Sequence, residues 1–289
     1  MSSSSASTSD PVGAHGSGRL VLVGTPIGNL GDLSPRAVDV LAAADLVCCE
    51  DTRRTGRLLE HAGVRARALR VANEHTEADV VAEVVRRVGA GEVVAVVTDA
   101  GMPGVSDPGE RLVAAVAAAG GVVEVVPGPS AALAGLVASG LPTGRFAFEG
   151  FLPRKGAARV ERIAAVAVEP RTSVLFEAPH RLARTLTDLA GACGLDRRVA
   201  IARELTKLHE EVWRGTLADA IQRAAEVEPR GEHVVVLDGA PAPAAVDDAA
   251  IVEALGRLRG AGLSTRDAVA EVATALGVPK RRVYDLATS

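Results

Sequence analysis

Aromatic side chains are scarce in this chain, at 2% of its 289 residues: one Trp, one Tyr and four Phe. With 48% hydrophobic residues all the same, its core must be built from Ala, Val and Leu. Lysine is scarcer still, found only at 155, 207 and 280, so nearly all the positive charge is Arg. The formal net charge is −4. A large nucleic-acid footprint usually shows as a basic domain, so any nucleic acid must be met here by a local patch. The three cysteines, Cys48, Cys49 and Cys193, form no CxxC and no metal-ligand spacing, which fits a reducing cytoplasm and argues against a metal site. Cys48 and Cys49 lie in an apolar run and read as core. No apolar run approaches membrane-spanning length. Residues 1–18 are rich in Ser, Gly and Ala without an apolar core; they read as a disordered tail, neither signal peptide nor anchor.

Several common signatures are missing as well. The glycines after the first apolar run stand at 24, 28 and 31, which is not the GxGxxG of a dinucleotide fold. There is no GxxxxGK[ST], no HExxH and no GxSxG. Redox, P-loop NTPase and common hydrolase chemistry all lose support.

The stretch that stands out is Asp99-Ala-Gly-Met-Pro-Gly-Val-Ser-Asp-Pro-Gly109. It follows Val93–Val97, a β-branched apolar run that reads as a buried central strand. A strand ending in Asp and then a run of Gly and Pro puts a carboxylate and a shaped loop at the carboxyl edge of a sheet, where open α/β sheets bind ligands. The density of Gly, Pro and Asp exceeds what a simple turn needs.

The rest of the chain fits around that strand. The pattern predicts strands at Arg19–Val23, Leu46–Cys49, Ala68–Val71 and Val122–Val126. Helices are expected from Ser34-Pro35 to Ala43, to His61, over 77–88, Glu110–Ala119 and Ala131–Ala138. Strands alternating with helices at this spacing mean βαβ units and a mostly parallel sheet. Leu141–Gly144 reads as a linker. A second α/β region follows, with strands at Phe146–Phe151, Ser173–Phe176 and Arg198–Ala202, and helices near 157–167 and up to Ala192. Val212–Gly215 and His233–Leu237 read as antiparallel strands with a helix near 217–225 between them. Beyond a Pro/Ala linker at 241–245, apolar residues at 269, 272, 276, 278, 283 and 286 fit a helix-turn-helix. Lys280, Arg281 and Arg282 open its second helix, where a nucleic-acid reader places cations, although a capping helical pair reads equally well. The expected organisation is a tail at 1–18, an N-terminal α/β domain at 19–141, a C-terminal α/β domain at 145–239 and a helical segment at 246–289.

The chemistry gathers at the strand ends. Backbone groups of a Gly-rich loop such as 24–31 can approach a ligand closely. Asp99 can accept from a hydroxyl or amine, and Ser130 can cap a helix or bind a ligand there. Mixed charges stand at Glu50-Asp51-Thr52-Arg53, Asn73-Glu74-His75, Glu177-Ala-Pro-His180-Arg181 and Arg203-Glu-Leu-Thr-Lys207-Leu-His209. Each alone reads as a solvated salt-bridge surface. Four at one sheet edge suggest a polar cleft in which arginines hold phosphates and a carboxylate or histidine takes a proton.

Six segments occur in order: Leu22–Asp32, Glu50–Arg53, Asp99–Gly109, Pro127–Ala131, Phe148–Pro153 and Phe176–Leu182. Together they resemble the tetrapyrrole methylase superfamily, the class III S-adenosylmethionine-dependent methyltransferases. Within it they resemble the bacterial cytidine 2′-O-methyltransferases of small-subunit (16S) ribosomal RNA. The resemblance spans Arg19 to Asp238, and the C-terminal segment looks like that family's helix-turn-helix tail. It implies two α/β domains with S-adenosyl-L-methionine in the cleft between them, a cytoplasmic homodimer and no metal. The implied substrate is a decoding-centre cytidine, met in free ribosomal RNA or in the assembled 30S subunit. By the same resemblance, Pro26, Asp99, Gly101, Met102, Ser130, Ala131, Ala178, Leu205 and His233 would hold the cofactor. Asp51, Glu177 and His180 are candidates for the group that takes the 2′-hydroxyl proton. Arg53, Arg154, Lys155, Arg181, Arg203 and Lys207 would hold RNA phosphates. A tetrapyrrole-type small-molecule methyltransferase and a non-enzymatic RNA-binding protein are the rival readings.

Overall fold

The computed structural model describes residues 18–73, 76–242 and 246–288. The expected tail up to residue 17, Glu74 and His75 of one charged cluster, and residues 243–245 of the linker lie outside the described residues. Gly18, assigned by composition to the tail, is instead buried: a Cβ on it would stand 2.0 Å from the Val88 carbonyl oxygen. The described residues fall into two compact units, one running up to Ala240 and the other starting at Pro241.

The first sheet contains β1 (Arg19–Val23), β2 (Leu46–Cys49), β3 (Leu69–Val71), β4 (Val93–Val96) and β5 (Val122–Val126). All its pairings are parallel, in the order β3-β2-β4-β1-β5. Alternation along each strand divides the core. Leu20, Leu22, Cys48, Val94 and Val96 face α3 (Glu77–Gly89) and α4 (Glu110–Ala118) through Val80, Val84, Leu112 and Val116. Val21, Val23, Val47, Cys49 and Ala95 face α1 (Pro35–Ala43) and α2 (Thr52–His61) through Val40, Leu41 and Leu59. A sheet covered on both sides explains why its strands read as continuous apolar runs. Burial pushes the Cys48 thiol up to about 12, so it behaves as the core residue its setting predicts. The chain leaves adjacent β1 and β4 in opposite directions, toward β2 and toward β5. That is a topological switch point, where the loops after the strands leave a crevice.

The second sheet has the order β6-β7-β10-β8-β9. Its strands are β6 (Phe146–Phe151), β7 (Thr172–Glu177), β8 (Arg198–Arg203), β9 (Glu211–Thr216) and β10 (His233–Leu237). Only β6 and β7 pair in parallel; β10 inserts antiparallel between β7 and β8, and β9 is antiparallel to β8. The two strands read from sequence as an antiparallel set therefore do not pair, and β9 and β10 run in the same direction. The crossover through α8 (Leu217–Glu226) permits this, where a tight turn would not. One face of the sheet packs on α6 (Ala157–Val168), α7 (Pro179–Cys193) and α8 through Ile163, Leu186, Leu189 and Leu217.

The other face is covered by α5 (Ala131–Ser139), the helix that follows β5. Its Ala132 and Leu136 pack on Val174, Ala200, Val234 and Val236. The sequence order groups α5 with the first region, but its small residues suit the second sheet. At Gly135 an added Cβ would lie 2.7 Å from Val234 Cγ1. Ile27, from the loop after β1, joins the same cluster, so both sheets share one contact layer.

The second unit consists of α9 (Asp248–Gly260), α10 (Thr265–Ala275) and α11 (Lys280–Thr288) around Ile251, Leu255, Val269, Val272 and Val283. Gly277, at φ 62°, turns α10 into α11. Of the three cations expected at the start of α11, Arg282 folds back onto Asp248 at 2.7 Å and onto the Val246 carbonyl, while Lys280 and Arg281 are exposed.

The end of the 99–109 loop is tied down by a residue from another helix. Gly109 at the start of α4 has no side chain to cap it. Buried Glu77 of α3 does so, its Oε1 accepting from the N–H groups of Gly109 (2.9 Å), Arg111 (3.1 Å) and Leu112 (3.3 Å). Replacing Glu77→Ala strands those donors and is expected to cost about 2 kcal/mol. For a unit of this size that is a fall in Tm of roughly 4–8 °C. Glu77→Gln, which keeps an acceptor oxygen, should cost less. Calorimetry showing Glu77→Ala unchanged would refute this account of the cap.

Candidate functional site

Three loops meet backbone to backbone at the carboxyl ends of β1, β4 and β5. Thr25 N–H donates to the Gly101 carbonyl (2.9 Å), and Gly101 N–H donates back to that of Thr25 (3.1 Å). Gly24 N–H donates to the Val126 carbonyl (3.0 Å). Neither Gly24 nor Gly128 has room for a side chain: a Cβ on Gly24 would lie 2.7 Å from Gly128 Cα, and one on Gly128 would lie 2.8 Å from Gly24 Cα. This explains the glycines at two of the strand ends by close approach rather than by turn type.

Between these loops and the second sheet lies a cavity of ≈ 470 Å³. Of the residues the resemblance assigned to the cofactor, Asp99, Gly101, Met102, Ser130, Ala131, Ala178, Leu205 and His233 all line it. Pro26 lines an adjoining cavity instead. Apolar walls come from Ile27, Val105, Ala131, Phe176, Leu205 and Val234, with Phe151 and Phe176 rings 5.6 Å apart. Ser130 also caps α5, its Oγ accepting from Leu133 N–H at 3.5 Å.

The polar lining is strongly acidic. Glu50, Asp99, Asp107, Glu177, Glu204 and Glu232 face the cavity, against Arg54 and Lys207. Lys207 is held by Glu204 (3.0 Å) and Glu232 (2.9 Å), and Arg54 reaches Asp99 Oδ2 at 3.4 Å. The other oxygen, Asp99 Oδ1, is buried and has no hydrogen-bond partner among the described residues. Burial raises the Asp99 and Glu50 carboxyls above their ordinary values. Burial, with Glu50 and Asp99 nearby, brings Asp107 up to about 7. Burial and the Arg203 guanidinium hold His233 below the usual imidazole range. An acidic, part-apolar cleft with an unsatisfied carboxylate oxygen suits a ligand that carries a positive centre beside an apolar body.

Several expected site residues lie elsewhere. Asp51 does not line the cleft. It caps α2 and holds Arg53 through that residue's N–H (2.8 Å) and guanidinium (2.8 Å), which draws its carboxyl down to about 2 and makes it a poor proton acceptor. Arg53 is exposed and bound in that pair. The cleft instead takes their neighbours Glu50 and Arg54, because side chains alternate at a strand end and turn by about 100° per residue in a helix. Glu177 does reach the cleft, but its oxygens are engaged by Ala178 N–H (2.9 Å), Thr185 Oγ1 (2.6 Å) and Arg181 Nε (3.1 Å). His180, Arg181 and Arg154 line a separate hollow of ≈ 290 Å³ with Arg159 and Arg184. Lys155 is exposed beside it in the chain. Arg203 pairs with Glu211 at 3.4 Å and lines a pocket beside Trp213. Glu50, Glu204 and Asp107 belong to stretches read as charged clusters or as a loop without a role of their own, and Arg54 and Glu232 lie outside those stretches. Asp107 stood inside the 99–109 stretch, where Ser106 at φ 62° turns the chain just before it. Glu232 has no comparable signal, since only the pairing of β10 beside β8 brings it near Glu204.

Comparison with known proteins agrees with this geometry. Residues 19–221 match the family model of tetrapyrrole (corrin/porphyrin) methylases, and residues 245–289 match that of the RsmI C-terminal HTH domain. The ribosomal RNA small subunit methyltransferase I of Synechocystis sp. is 43% identical over 271 residues, covering 93% of this chain and 97% of that protein. Its counterpart in Xylella fastidiosa is 45% identical, covering 92% and 98%. Among solved structures, uroporphyrin-III C-methyltransferase from Thermus thermophilus complexed with S-adenosylhomocysteine aligns with a TM-score of 0.54 at 22% identity. It covers 76% of this chain and 97% of that one.

The acidic cluster has a consequence for stability. Asp107 titrates near 7 in the folded chain against an ordinary 3.8, so the unfolded chain loses this proton first. The ligand-free protein should therefore lose stability as pH rises from about 4 to 7 through this group. Asp107→Asn removes the penalty. Its Tm should exceed that of the parent at pH 8 and converge on it toward pH 4; a Tm difference independent of pH would contradict the assignment.

Proposed function

Since this chain belongs to the tetrapyrrole (corrin/porphyrin) methylase family, within its ribosomal RNA small subunit methyltransferase I branch, we propose that it 2′-O-methylates a cytidine in the decoding centre of 16S ribosomal RNA. The methyl donor is S-adenosyl-L-methionine. The observation that carries the reading is the acidic cleft, with Asp99 Oδ1 buried and unpaired among apolar walls. A sulfonium and an amino group, both cationic, match the carboxylates, and an adenine ring matches Ile27, Ala131, Leu205 and Val234. When bound, the donor supplies an electrophilic methyl group on a positively charged sulfur.

The chain's own residues do the rest. Asp99 and Glu50 place negative charge where the donor's cationic groups sit. Met102, Ser130, Ala131, Ala178 and His233 shape the pocket, and the Gly24–Gly128 contact holds its floor. The acceptor oxygen must stand in line with the methyl carbon and sulfur, with the reacting atoms about 3 Å apart. Asp107, poised near 7, takes the 2′-hydroxyl proton on a carboxylate oxygen. We assign this role to Asp107 rather than to Asp51, Glu177 or His180, because it lines the cleft with its carboxyl raised to about 7, whereas Asp51 and His180 lie outside the cleft and the Glu177 oxygens are engaged by Ala178, Thr185 and Arg181. The hollow of Arg154, His180, Arg181 and Arg184, with exposed Lys155 and Arg53, supplies cations for RNA phosphates on the rim. A homodimer follows the family pattern: exposed Leu133 and Val137, one helical turn apart on α5, offer an apolar stripe for a second copy. Its working place is the cytoplasm, with the ribosomal acceptor; among the described residues no helix is long and apolar enough to cross a membrane.

Labelled S-adenosylmethionine offered with small ribosomal subunits, or with free ribosomal RNA, from a strain lacking the enzyme should leave a 2′-O-methyl mark on one decoding-centre cytidine. A bound donor without transfer to either acceptor would turn the search to tetrapyrroles. Asp107→Asn should lower kcat by about 10²–10⁴-fold, the usual worth of a general base. It should also abolish the rise of rate with pH around neutrality. Asp51→Ala should keep near-parental turnover and lose only some thermal stability; a turnover loss matching that of Asp107→Asn would return the proton-accepting role to Asp51.

A further inference from the structure

The cleft has a neighbour of different electrical character. A second cavity of ≈ 500 Å³ lies between the loop after β1, helix α2 and the start of the 99–109 stretch. Ile27, Arg54, Asp99, Ala100, Lys207 and Glu232 line both cavities and so form the wall they share. The cleft carries six carboxylates against Arg54 and Lys207. The second cavity carries Arg54, Arg57 and Lys207 against Asp99 and Glu232 alone. Lys207 is neutralised by its two glutamates. Arg57 is exposed and has no ion-pair or hydrogen-bond partner among the described residues, so an uncompensated guanidinium stands at the mouth.

The remaining lining is apolar in part, from Pro26, Ile27, Leu30 and Leu58, with Leu30 exposed. Thr98 also lines it. This residue is 3% exposed and its Oγ1 has no hydrogen-bond partner among the described residues, although the hydroxyl of neighbouring Thr25 is used on the Thr98 carbonyl at 3.2 Å. A buried hydroxyl without a partner costs stability unless something else satisfies it. Asp99 Oδ1, on the shared wall, is in the same state.

We propose that the second cavity is a nucleotide subsite for the acceptor strand. It receives the residue flanking the methylated one, with its phosphodiester against Arg57 and Arg54 and its base or sugar against Pro26, Leu30, Leu58 and the Thr98 hydroxyl. The charge division carries the assignment. The acidic cavity repels a phosphodiester and suits the cationic donor, whereas the adjoining one offers free positive charge. The flanking rather than the reacting nucleotide belongs there, because Asp107 lines only the acidic cavity and the reacting ribose must reach it across the shared wall. RNA splayed out for ribose chemistry exposes its neighbouring phosphate and base for such a contact. Arg57 is thus a positioning residue: it fixes the strand and touches no reacting atom.

This inference rests on the ribosomal RNA reading, and one experiment separates the two. Methyl transfer to small ribosomal subunits is measured for the parent, Arg57→Glu, Arg57→Lys and Thr98→Val, with donor affinity measured by calorimetry on each. Arg57→Glu is expected to raise the acceptor KM at least about 10-fold, the worth of one lost hydrogen bond to a charged group. Its donor Kd and kcat should stay within about two-fold of the parent, a change under 0.5 kcal/mol. Arg57→Lys should restore most of the KM. Thr98→Val should raise the KM about three- to ten-fold, the effect of one lost hydrogen bond, without lowering Tm. An unchanged KM in Arg57→Glu, or a parallel loss of donor affinity, overturns the subsite while leaving the activity standing. Failure of the parent to methylate any ribosomal acceptor overturns the function itself.

Discussion

The structure depends on the close approach of three loop backbones at the carboxyl ends of β1, β4 and β5. Gly24 and Gly128 are in van der Waals contact through main-chain atoms, and Thr25 and Gly101 exchange both of their hydrogen bonds. A single Cβ at either glycine would push apart two loops that form the floor of the cleft. Because β1 and β4 are inner strands of a parallel sheet covered on both faces, that floor rests on the buried core of the fold. Support from a packed scaffold is what holds the side chains of a loop-built site in place.

Upon that floor the molecule sorts charge. Carboxylates collect in one cavity until burial and mutual repulsion lift the protonation of Asp107 toward neutrality. Arginines gather next door and on the rim, and among them Arg57 and Arg154 have no ion-pair partner among the described residues. The sorting matches a reaction whose donor is a cation and whose acceptor is a polyanion, and it keeps the two reactants from competing for one place. It also reconciles a chain of net charge −4 with a nucleic-acid substrate, since the positive charge needed is local.

Helix α5 couples the two halves. It follows β5 of the first sheet but packs its small, apolar side on the second, with Gly135 pressed against Val234. Ser130 at its start and Ile27 beside it both line the cleft, so residues that shape the site also join the two sheets. The glutamates that flank Lys207 belong to this same junction, one beyond β8 and the other before β10.

The sequence alone determined the elements and the loops that matter. Strand alternation, Ser and Asp caps, and Gly/Pro punctuation are local properties, and they located nearly every strand and helix and the 99–109 stretch within a residue or two. They also put Asp99 and Ser130 at strand ends, and the resemblance added Met102, Ala131, Ala178, Leu205 and His233, all of which line one cavity. Which side chain of a charged cluster faces that cavity was decided only in three dimensions. Asp51 and Arg53 satisfy each other as a helix cap, while Glu50 and Arg54, one position away from each, reach the cleft. Rotation about a strand end or a helix start is set by packing against neighbours far off in the chain. The same holds for β10, which lies between β7 and β8 and so carries Glu232 to Lys207 and His233 to Glu177 and Arg203. Pairing of strands that distant in sequence, and the direction each charge then faces, is a property of the assembled sheets rather than of any segment.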